Sequence, residues 1–240
     1  TIVEWDSKAK RFIAEQREQI GSLVLSCSKL AKVPADAKQE ALIKYVQASG
    51  LETLPFTPEL RQWQARVELV RTTTGNKAWP EVSNEHLLAT MNDWLGPYLD
   101  PINLLSHFKK LDLKSILTAL LTWEQNQQLN ILAPQRLQVP SGSSYALDYT
   151  TTPPVLAVKL QEMFGCLDTP AVLNGRVSLT VHLLSPAGRP VQVTQDLAGF
   201  WASSYQDVRK EMKGRYPKHS WPEDPQNAVP TRGTKPRCKS

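Results

Sequence analysis

Cysteine is scarce in this chain: Cys27, Cys166 and Cys238 are the only three in 240 residues, widely separated and with no CxxC pair. That excludes a disulfide framework and a zinc site of ordinary spacing, and a reducing cytoplasm is the compartment that fits. Long apolar runs are missing too. No stretch approaches the roughly 20 unbroken apolar residues that span a bilayer, so no membrane partner is expected. The opening TIVEWDSKAKRF lacks the charged end leading into an apolar run that marks a signal peptide. It also lacks an initiating Met, and Ile2 and Val3 read as mid-strand residues. Simple processing or a cut boundary accounts for this, and so does a fragment of a longer protein.

Signatures of catalysis are absent as well. None of the eleven glycines opens the G-x-x-x-x-G-K-[ST] run whose amides wrap a phosphate while its Lys neutralises it. There is no HExxH, no GxSxG elbow and no GxGxxG. The four histidines, His86, His107, His182 and His219, stand alone in sequence. His86 and His107 read as ordinary helix residues, and His182 sits opposite the apolar face of a predicted strand, where exposure is expected. No catalytic residue, metal ligand or cofactor is therefore expected in this chain.

What is present is material for a core and an uneven charge. Hydrophobic residues make up 41% of the chain, ample for a buried interior. Residues 1–175 hold 17 Lys and Arg against 18 Asp and Glu, whereas residues 176–240 hold 11 against 5. The whole cationic excess thus lies in the last quarter. An anionic partner, nucleic acid being the commonest, explains this, and so does a solubilising basic tail.

Residues 1–33 read as short strands, although Ala9, Phe12, Ile13, Gln16, Ile20, Leu23 and Val24 also fit a helical stripe. From Pro34 to Ala133 the signals are helical. Pro34 suits a first helical turn, and Ala41, Leu42, Tyr45 and Val46 follow at helical spacing until Gly50. Thr57 with Pro58 predicts a second helix carrying Leu60, Trp63, Val67 and Val70. Ser83 predicts a third, with Leu87, Leu88, Met91, Trp94 and Leu95, stopped by Gly96-Pro97. Asp112 predicts a fourth, with Ile116, Leu117, Leu120 and Leu121 inward. Thr122 and Gln125 have capping-box spacing, which predicts a fresh helix. The segment 34–133 is a helical bundle by this reading, with Trp63, Leu87, Trp94, Leu117 and Leu120 in one core.

The pattern changes at Pro134. Leu137 and Val139, then Tyr145, Leu147 and Tyr149, alternate about Pro140-Ser141-Gly142-Ser143 as a hairpin does. Val155 to Phe164 reads as a helix closed by Gly165. Val177, Leu179, Val181 and Leu183 alternate as a strand, SPAGRP turns the chain, and Val191 and Val193 continue a second strand. Thr194 is expected to cap a short helix with Leu197, Phe200 and Trp201. Ser204 is expected to cap the next, ended by Gly214. From Pro217 onward five prolines in 24 residues and almost no aliphatics predict an extended tail unable to bury itself, mobile from about Asn227. The expected fold class is α+β: short strands (1–33), a helical bundle (34–133), a mixed α/β C-terminal domain (134–216) and an extended, basic, Pro-rich tail (217–240).

The segment YQDVRKEMKGRYPKHSW, residues 205–221, is the richest in chemistry. It interleaves Arg209, Lys210, Lys213, Arg215 and Lys218 with Tyr216, His219 and Trp221. Basic groups neutralise phosphates and aromatic faces stack on unpaired bases, so these eight residues suit single-stranded nucleic acid. They also suit a structural role, in which Arg209 and Lys213 line a helix surface while Tyr216 and Trp221 anchor the tail.

The string RVSLTVHLLSPAGRPVQVTQDLAGFW (176–201) followed by YQDVRKEMKGRYPKHSWPEDP (205–225) resembles the C-terminal region of the HrpB family of bacterial DEAH-box ATP-dependent helicases. LAPQRLQVPSGSSYALDY (132–149), PVLAVKLQEMFG (154–165) and the opening EWDSKAKRFIAEQREQIGSLVLS resemble it too. The likeness covers nearly the whole chain and is weakest between about Ala31 and Pro80. It implies a longer parent protein with two RecA-like motor domains, a winged-helix domain and further helical and OB-like parts. It also implies that ATP and Mg bind in those motor domains, whose Walker and DEAH motifs match no position here, and that residues 1–33 close the OB-like part. The function implied is an accessory region that couples an RNA or DNA strand to the motor domains. The alternative is a protein-interaction module that docks on the motor or a partner protein without touching nucleic acid. An independent enzyme ranks third.

Overall fold

The computed structural model describes the backbone at residues 2–6, 11–20, 23–29 and 34–234, and the side chains at 34–104 and 106–234. Cys27 and Cys238 lie outside the described side chains. The fold is α+β, and the chain divides into two compact units, Thr1–Asn126 and Gln127–Ser240. The strands of residues 1–33 belong with the helices in the first unit. The division falls inside a helix, a few residues before the composition changes at Pro134.

In the first unit, β1 (Ile2–Asp6), β2 (Arg11–Ile20) and β3 (Leu23–Lys29) form an antiparallel sheet in the order β1-β2-β3. Helices α1 (Ala35–Ser49), α2 (Pro58–Thr74), α3 (Asn84–Ala89), α4 (Met91–Trp94), α5 (Leu105–Phe108), α6 (Leu113–Thr118) and α7 (Trp123–Leu132) follow.

Their starts obey local capping chemistry, in which a side-chain oxygen accepts a bond from an otherwise unpartnered first-turn N–H. The Thr57 hydroxyl accepts from the Leu60 N–H (3.2 Å), Ser83 from His86 (3.1 Å) and Asp112 from Ser115 (3.1 Å). At α7 the predicted capping box is complete. The Thr122 N–H donates to Gln125 Oε1 (2.9 Å), and the Gln125 N–H donates to Thr122 Oγ1 (3.2 Å).

Leu42, Val46, Leu60, Val67, Val70, Leu87, Met91 and Leu117 are buried and form the core of this unit. Trp63 and Trp94 are buried with them, and the Trp94 indole N–H donates to the Leu87 carbonyl at 2.8 Å. Two expectations change. The third predicted helix is two short ones that meet at Thr90, and Leu120 is half-buried beside a cleft rather than inside the core.

The second unit carries β4 (Arg136–Gln138), β5 (Ser144–Asp148), β6 (Val155–Lys159), β9 (Thr180–Leu184) and β10 (Pro190–Thr194) in one sheet, ordered β10-β9-β6-β5-β4. The β6–β9 pair is parallel and the other pairs are antiparallel. A small ladder pairs β7 (Ala171–Val172) with β8 (Val177–Ser178). Helices α8 (Leu197–Ala202) and α9 (Tyr205–Arg215) complete the unit.

Strand alternation places Leu147, Leu156, Val158, Val181 and Leu183 on one sheet face, where all are buried. Phe164, just beyond β6, meets Trp201 and Tyr205 with ring centroids 6.2 Å away in each case. These contacts fasten α8 and α9 to the buried side.

The predicted helix 155–164 is instead strand β6 followed by a single 3-10 turn, Leu160–Met163. Val155 and Leu156 are paired on both sides and Val158 with β9, so sheet context overrides a periodicity that fits either element. The cap of α8 is Asp196, whose carboxylate accepts from the Gly199 N–H at 2.8 Å, and Thr194 lies two residues earlier. Ser204 occupies the cap position of α9 without a side-chain capping bond, and Gly214 lies inside that helix, which ends at Arg215.

Candidate nucleic-acid interface

Helix α9 owes its placement to Tyr205 and Met212, both buried, which lie two turns apart on one stripe. After it the chain turns back, with the His219 N–H donating to the Tyr216 carbonyl at 3.1 Å. Residues 221–223 then run along the helix. The Tyr205 hydroxyl donates to the Pro222 carbonyl (2.8 Å) and Gln206 Nε2 to the Glu223 carbonyl (2.9 Å). Arg209 does two things at once. Its Nε donates to the Trp221 carbonyl at 3.0 Å, and its Nη2 pairs with Glu223 Oε1 at 3.1 Å. Burial pushes the Tyr205 hydroxyl pKa well above the ordinary phenolic range, against a smaller opposing pull from Arg209.

The chain after Pro217 was expected to be unable to bury itself, and here the described residues correct that expectation. Trp221 is only 6% exposed, and its indole N–H donates to the Tyr216 carbonyl at 2.9 Å. Main-chain bonds continue the docking. The Gly165 N–H donates to the Pro225 carbonyl (2.9 Å) and the Thr231 N–H to the Gln161 carbonyl (3.0 Å). Arg232 Nε reaches the Ser141 carbonyl at 2.9 Å, so residues 231 and 232 are tied to the 3-10 turn and the β4–β5 loop. Residues 217–234 contain no helix or strand; one large aromatic and a set of hydrogen bonds replace the missing aliphatics.

The 3-10 turn 160–163 receives this docked segment. The buried Gln161 side chain lies between His219 Nδ1 (3.1 Å) and the Ser220 carbonyl (3.3 Å). Beside it, the buried Glu162 carboxylate accepts from the Ser141 hydroxyl (2.6 Å) and the Tyr145 hydroxyl (2.5 Å). Burial pushes the Glu162 carboxyl up, but hydrogen bonds from Ser141, Ser143 and Tyr145 outweigh it and hold the group below the usual carboxylate range. Burial and the same carboxylate push the Tyr145 phenol up to about 12. Residues 161 and 162 give no sequence signal for this role, because their partners lie far along the chain.

The eight residues singled out from sequence therefore separate. Arg209 and Trp221 fasten the tail, Tyr216 supplies the carbonyl that Trp221 uses, and His219 abuts Gln161. Lys210, Lys213, Arg215 and Lys218 are exposed. Lys210 lies 3.8 Å from Asp207, with both side chains more than three-quarters exposed, and a pair so open to water contributes little. Arg215 pairs with Glu211 at 3.0 Å one turn earlier. Lys213 and Lys218 form no ion pair among the described residues. Lys213 and Arg215 also sit in the last turn of α9, where cations favour the negative end of the helix dipole.

Elsewhere, His86 and Glu81 line an open cleft of about 290 Å³ with Pro80, Asp93, Trp94 and Leu120. His86 Nδ1 is 3.9 Å from Glu81 Oε2, which Arg71 already engages at 2.7 Å. His107 Nδ1 contacts the Pro101 carbonyl at 3.2 Å. His182 is half-buried on the sheet face opposite Val181 and Leu183, not fully exposed. Among the described residues, no three His, Cys, Asp or Glu side chains are grouped to hold a metal, and no helix is long and apolar enough to cross a membrane.

The family model described as "ATP-dependent helicase C-terminal", HrpB_C, matches residues 94–225. The chain belongs to this HrpB C-terminal family. A second model, for the connector region of the ATP-dependent RNA helicase HrpB, matches residues 1–30. The ATP-dependent RNA helicase HrpB of Escherichia coli (strain K12) is 42% identical over 234 residues, covering 97% of this chain and 29% of that protein. The crystal structure of the E. coli DExH-box NTPase HrpB superposes with a TM-score of 0.81 at 42% identity, over 97% of this chain and 29% of that one. A second crystal structure, of the Escherichia coli DEAH/RHA helicase HrpB, gives 0.69 at 40% identity, over 91% and 28%. This chain thus spans less than a third of the length of the HrpB proteins it matches.

Proposed function

We propose that this chain is the C-terminal accessory region of an ATP-dependent helicase, and that it steadies a single strand of RNA or DNA for motor domains elsewhere in the parent protein. ATP and Mg would bind in those motor domains, in the cytoplasm, and strands β1–β3 would close an OB-like part upstream. One observation carries the nucleic-acid side of this reading. Around the end of α9, Lys213 and Lys218 stand exposed without an ion pair among the described residues, while the neighbouring Arg209 is committed to Glu223. The docked tail holds the Lys218 turn in place, so these cations are presented from a fixed surface. Lys210 and Arg215 flank them in weak, solvent-screened pairs that a phosphate can displace.

The test is a salt titration of binding to unstructured oligonucleotides, comparing the chain with a Lys213→Ala/Lys218→Ala variant. Each lysine that neutralises a phosphate releases counterions, so the variant should bind all sequences more weakly. Its log–log salt slope should be shallower by roughly 0.7 for each phosphate no longer neutralised. Unchanged affinity and slope would make the segment structural and put the protein-interaction module first.

A further inference from the structure

Strand β6 lies at the centre of the five-stranded sheet, with two strands on either side, yet its middle residue Ala157 is exposed. A central-strand residue reaches solvent only where the sheet face above it is uncovered. The register extends the observation to the neighbouring strands. Ala157 pairs with His182 of β9, and His182 with Val193 of the edge strand β10. On the other side the ladder between β6 and β5 ends at Leu156 and Leu147, and Ala146, the residue before Leu147, pairs with Arg136 of the opposite edge strand. Val193, His182 and Ala157 therefore form one transverse row, and the pair Ala146 and Arg136 lies just past the end of the β5–β6 ladder. Four of the five are exposed and His182 is half-buried. With strands about 4.8 Å apart, that row runs roughly 10 Å.

The chemistry of this row and its neighbours is specific. Its floor is two alanines, so the centre is low. Arg136 is steadied along its edge by Ser144, to whose hydroxyl its Nε donates at 3.2 Å. Lys159, two residues beyond Ala157 and so on the same face, pairs in register with Leu184. Arg189 is exposed in the turn just past that end of β9. The acid on this face is Asp148, whose carboxylate already accepts from the Thr150 N–H (2.9 Å) and hydroxyl (2.6 Å). Among the described residues no Trp, Tyr or Phe stands on this face. A base would find nothing to stack on, whereas an anionic backbone would find a shallow channel with cations along one side.

We infer that the open face of the sheet is a second nucleic-acid surface, in which a single strand lies along the Ala146–Ala157 channel and is held through its phosphates by Arg136, Lys159 and Arg189. This rests on the nucleic-acid reading above but uses the sheet face opposite the one that α8 and α9 cover. Binding here is indifferent to sequence and steep in salt, since phosphates and not bases are contacted.

The experiment uses the whole chain with labelled oligo-uridylate and oligo-thymidylate, read by fluorescence anisotropy over a salt series. Ala157→Glu sets a carboxylate in the channel, Ala157→Gln adds the same bulk without charge, and Arg136→Ala/Lys159→Ala removes two cations. Melts confirm that each variant is folded. A157E should bind much more weakly than A157Q, and the double variant should show a slope shallower by roughly 0.7 for each phosphate it no longer neutralises. If folded A157E and the double variant bind like the parent chain while Lys213→Ala/Lys218→Ala loses affinity, the sheet surface is refuted and the α9 surface stands. If A157E and A157Q weaken binding equally, bulk and not charge matters, and the phosphate channel is also refuted. If the unaltered chain binds neither oligonucleotide, both surfaces fall, and a protein partner on this face becomes the reading to pursue.

Discussion

Replacing Trp221 by alanine tests the docking of the tail directly. The indole is 6% exposed, its N–H reaches the Tyr216 carbonyl at 2.9 Å, and its own carbonyl accepts from Arg209 at 3.0 Å. Truncating a buried Trp to Ala removes most of its apolar packing and leaves a cavity, which costs about 3–5 kcal/mol. The backbone bond to Arg209 can survive the substitution, so the loss should stay within that range and not exceed it. For a unit of this size each kcal/mol lowers the melting temperature by very roughly 4 °C, so a drop of about 10–20 °C is expected. Thermal unfolding followed by near-ultraviolet dichroism reads it. Oligonucleotide binding measured well below the melt should keep the parent salt slope, because Trp221 offers no free face on which a base could stack. A melting temperature unchanged within about 2 °C, together with binding weakened by ~1–3 kcal/mol as stacking would give, would refute the anchoring assignment.

Two further outcomes follow from buried groups. Trp94→Ala should cost the first unit about 3–5 kcal/mol, and a melt indistinguishable from the parent would show that this stripe is not core. Glu162, whose carboxyl is held below its ordinary pKa in the folded chain, contributes stability that is present above the unfolded value near ~4.3 and lost as pH falls through the folded value. Melts from neutral pH into acid should therefore fall more steeply for the parent than for Glu162→Gln, and parallel curves would dismiss the carboxylate as an acid-sensitive tie.

What was legible in the sequence was the chemistry that acts over three or four residues. Thr57, Ser83, Asp112 and the Thr122–Gln125 box declare their helices because a side-chain oxygen meets a nearby orphan N–H. Alternation at 145–149 declares a strand for an equally local reason, whereas the one strand expected over 177–183 is two, β8 and β9, which break at Leu179 and pair in different sheets. What failed was decided at a distance. Val155–Lys159 carries apolar residues that suit a helix or a central strand, and only pairing with both β5 and β9 chooses between them. The tail misled because aliphatic content is a poor measure of burial when one Trp and a series of backbone hydrogen bonds do the holding. Thr194 and Asp196 compete for one cap only two residues apart, and the backbone at Asp196 settled it.

The candidate site shows the same limit in sharper form. Arg209 and Lys213 are cations one helical turn apart, and nothing within five residues of either tells them apart. The Trp221 carbonyl, twelve positions after Arg209, makes the difference by engaging one cation at 3.0 Å and leaving the other to solvent, and the exposed Glu223 carboxylate adds a second contact. Arg209 suits that inward role, since a planar guanidinium satisfies a carbonyl and a carboxylate at once where an ammonium would reach only one. The open sheet face was harder still to see. Ala146 and Ala157 are unremarkable residues in separate strands, and Arg136 and Lys159 carry no motif. Only strand pairing brings those strands into one sheet, and only the exposure of Ala157 on a central strand shows that this face is open. What separates these cations is thus less their own identity than whether the fold has already given them a partner.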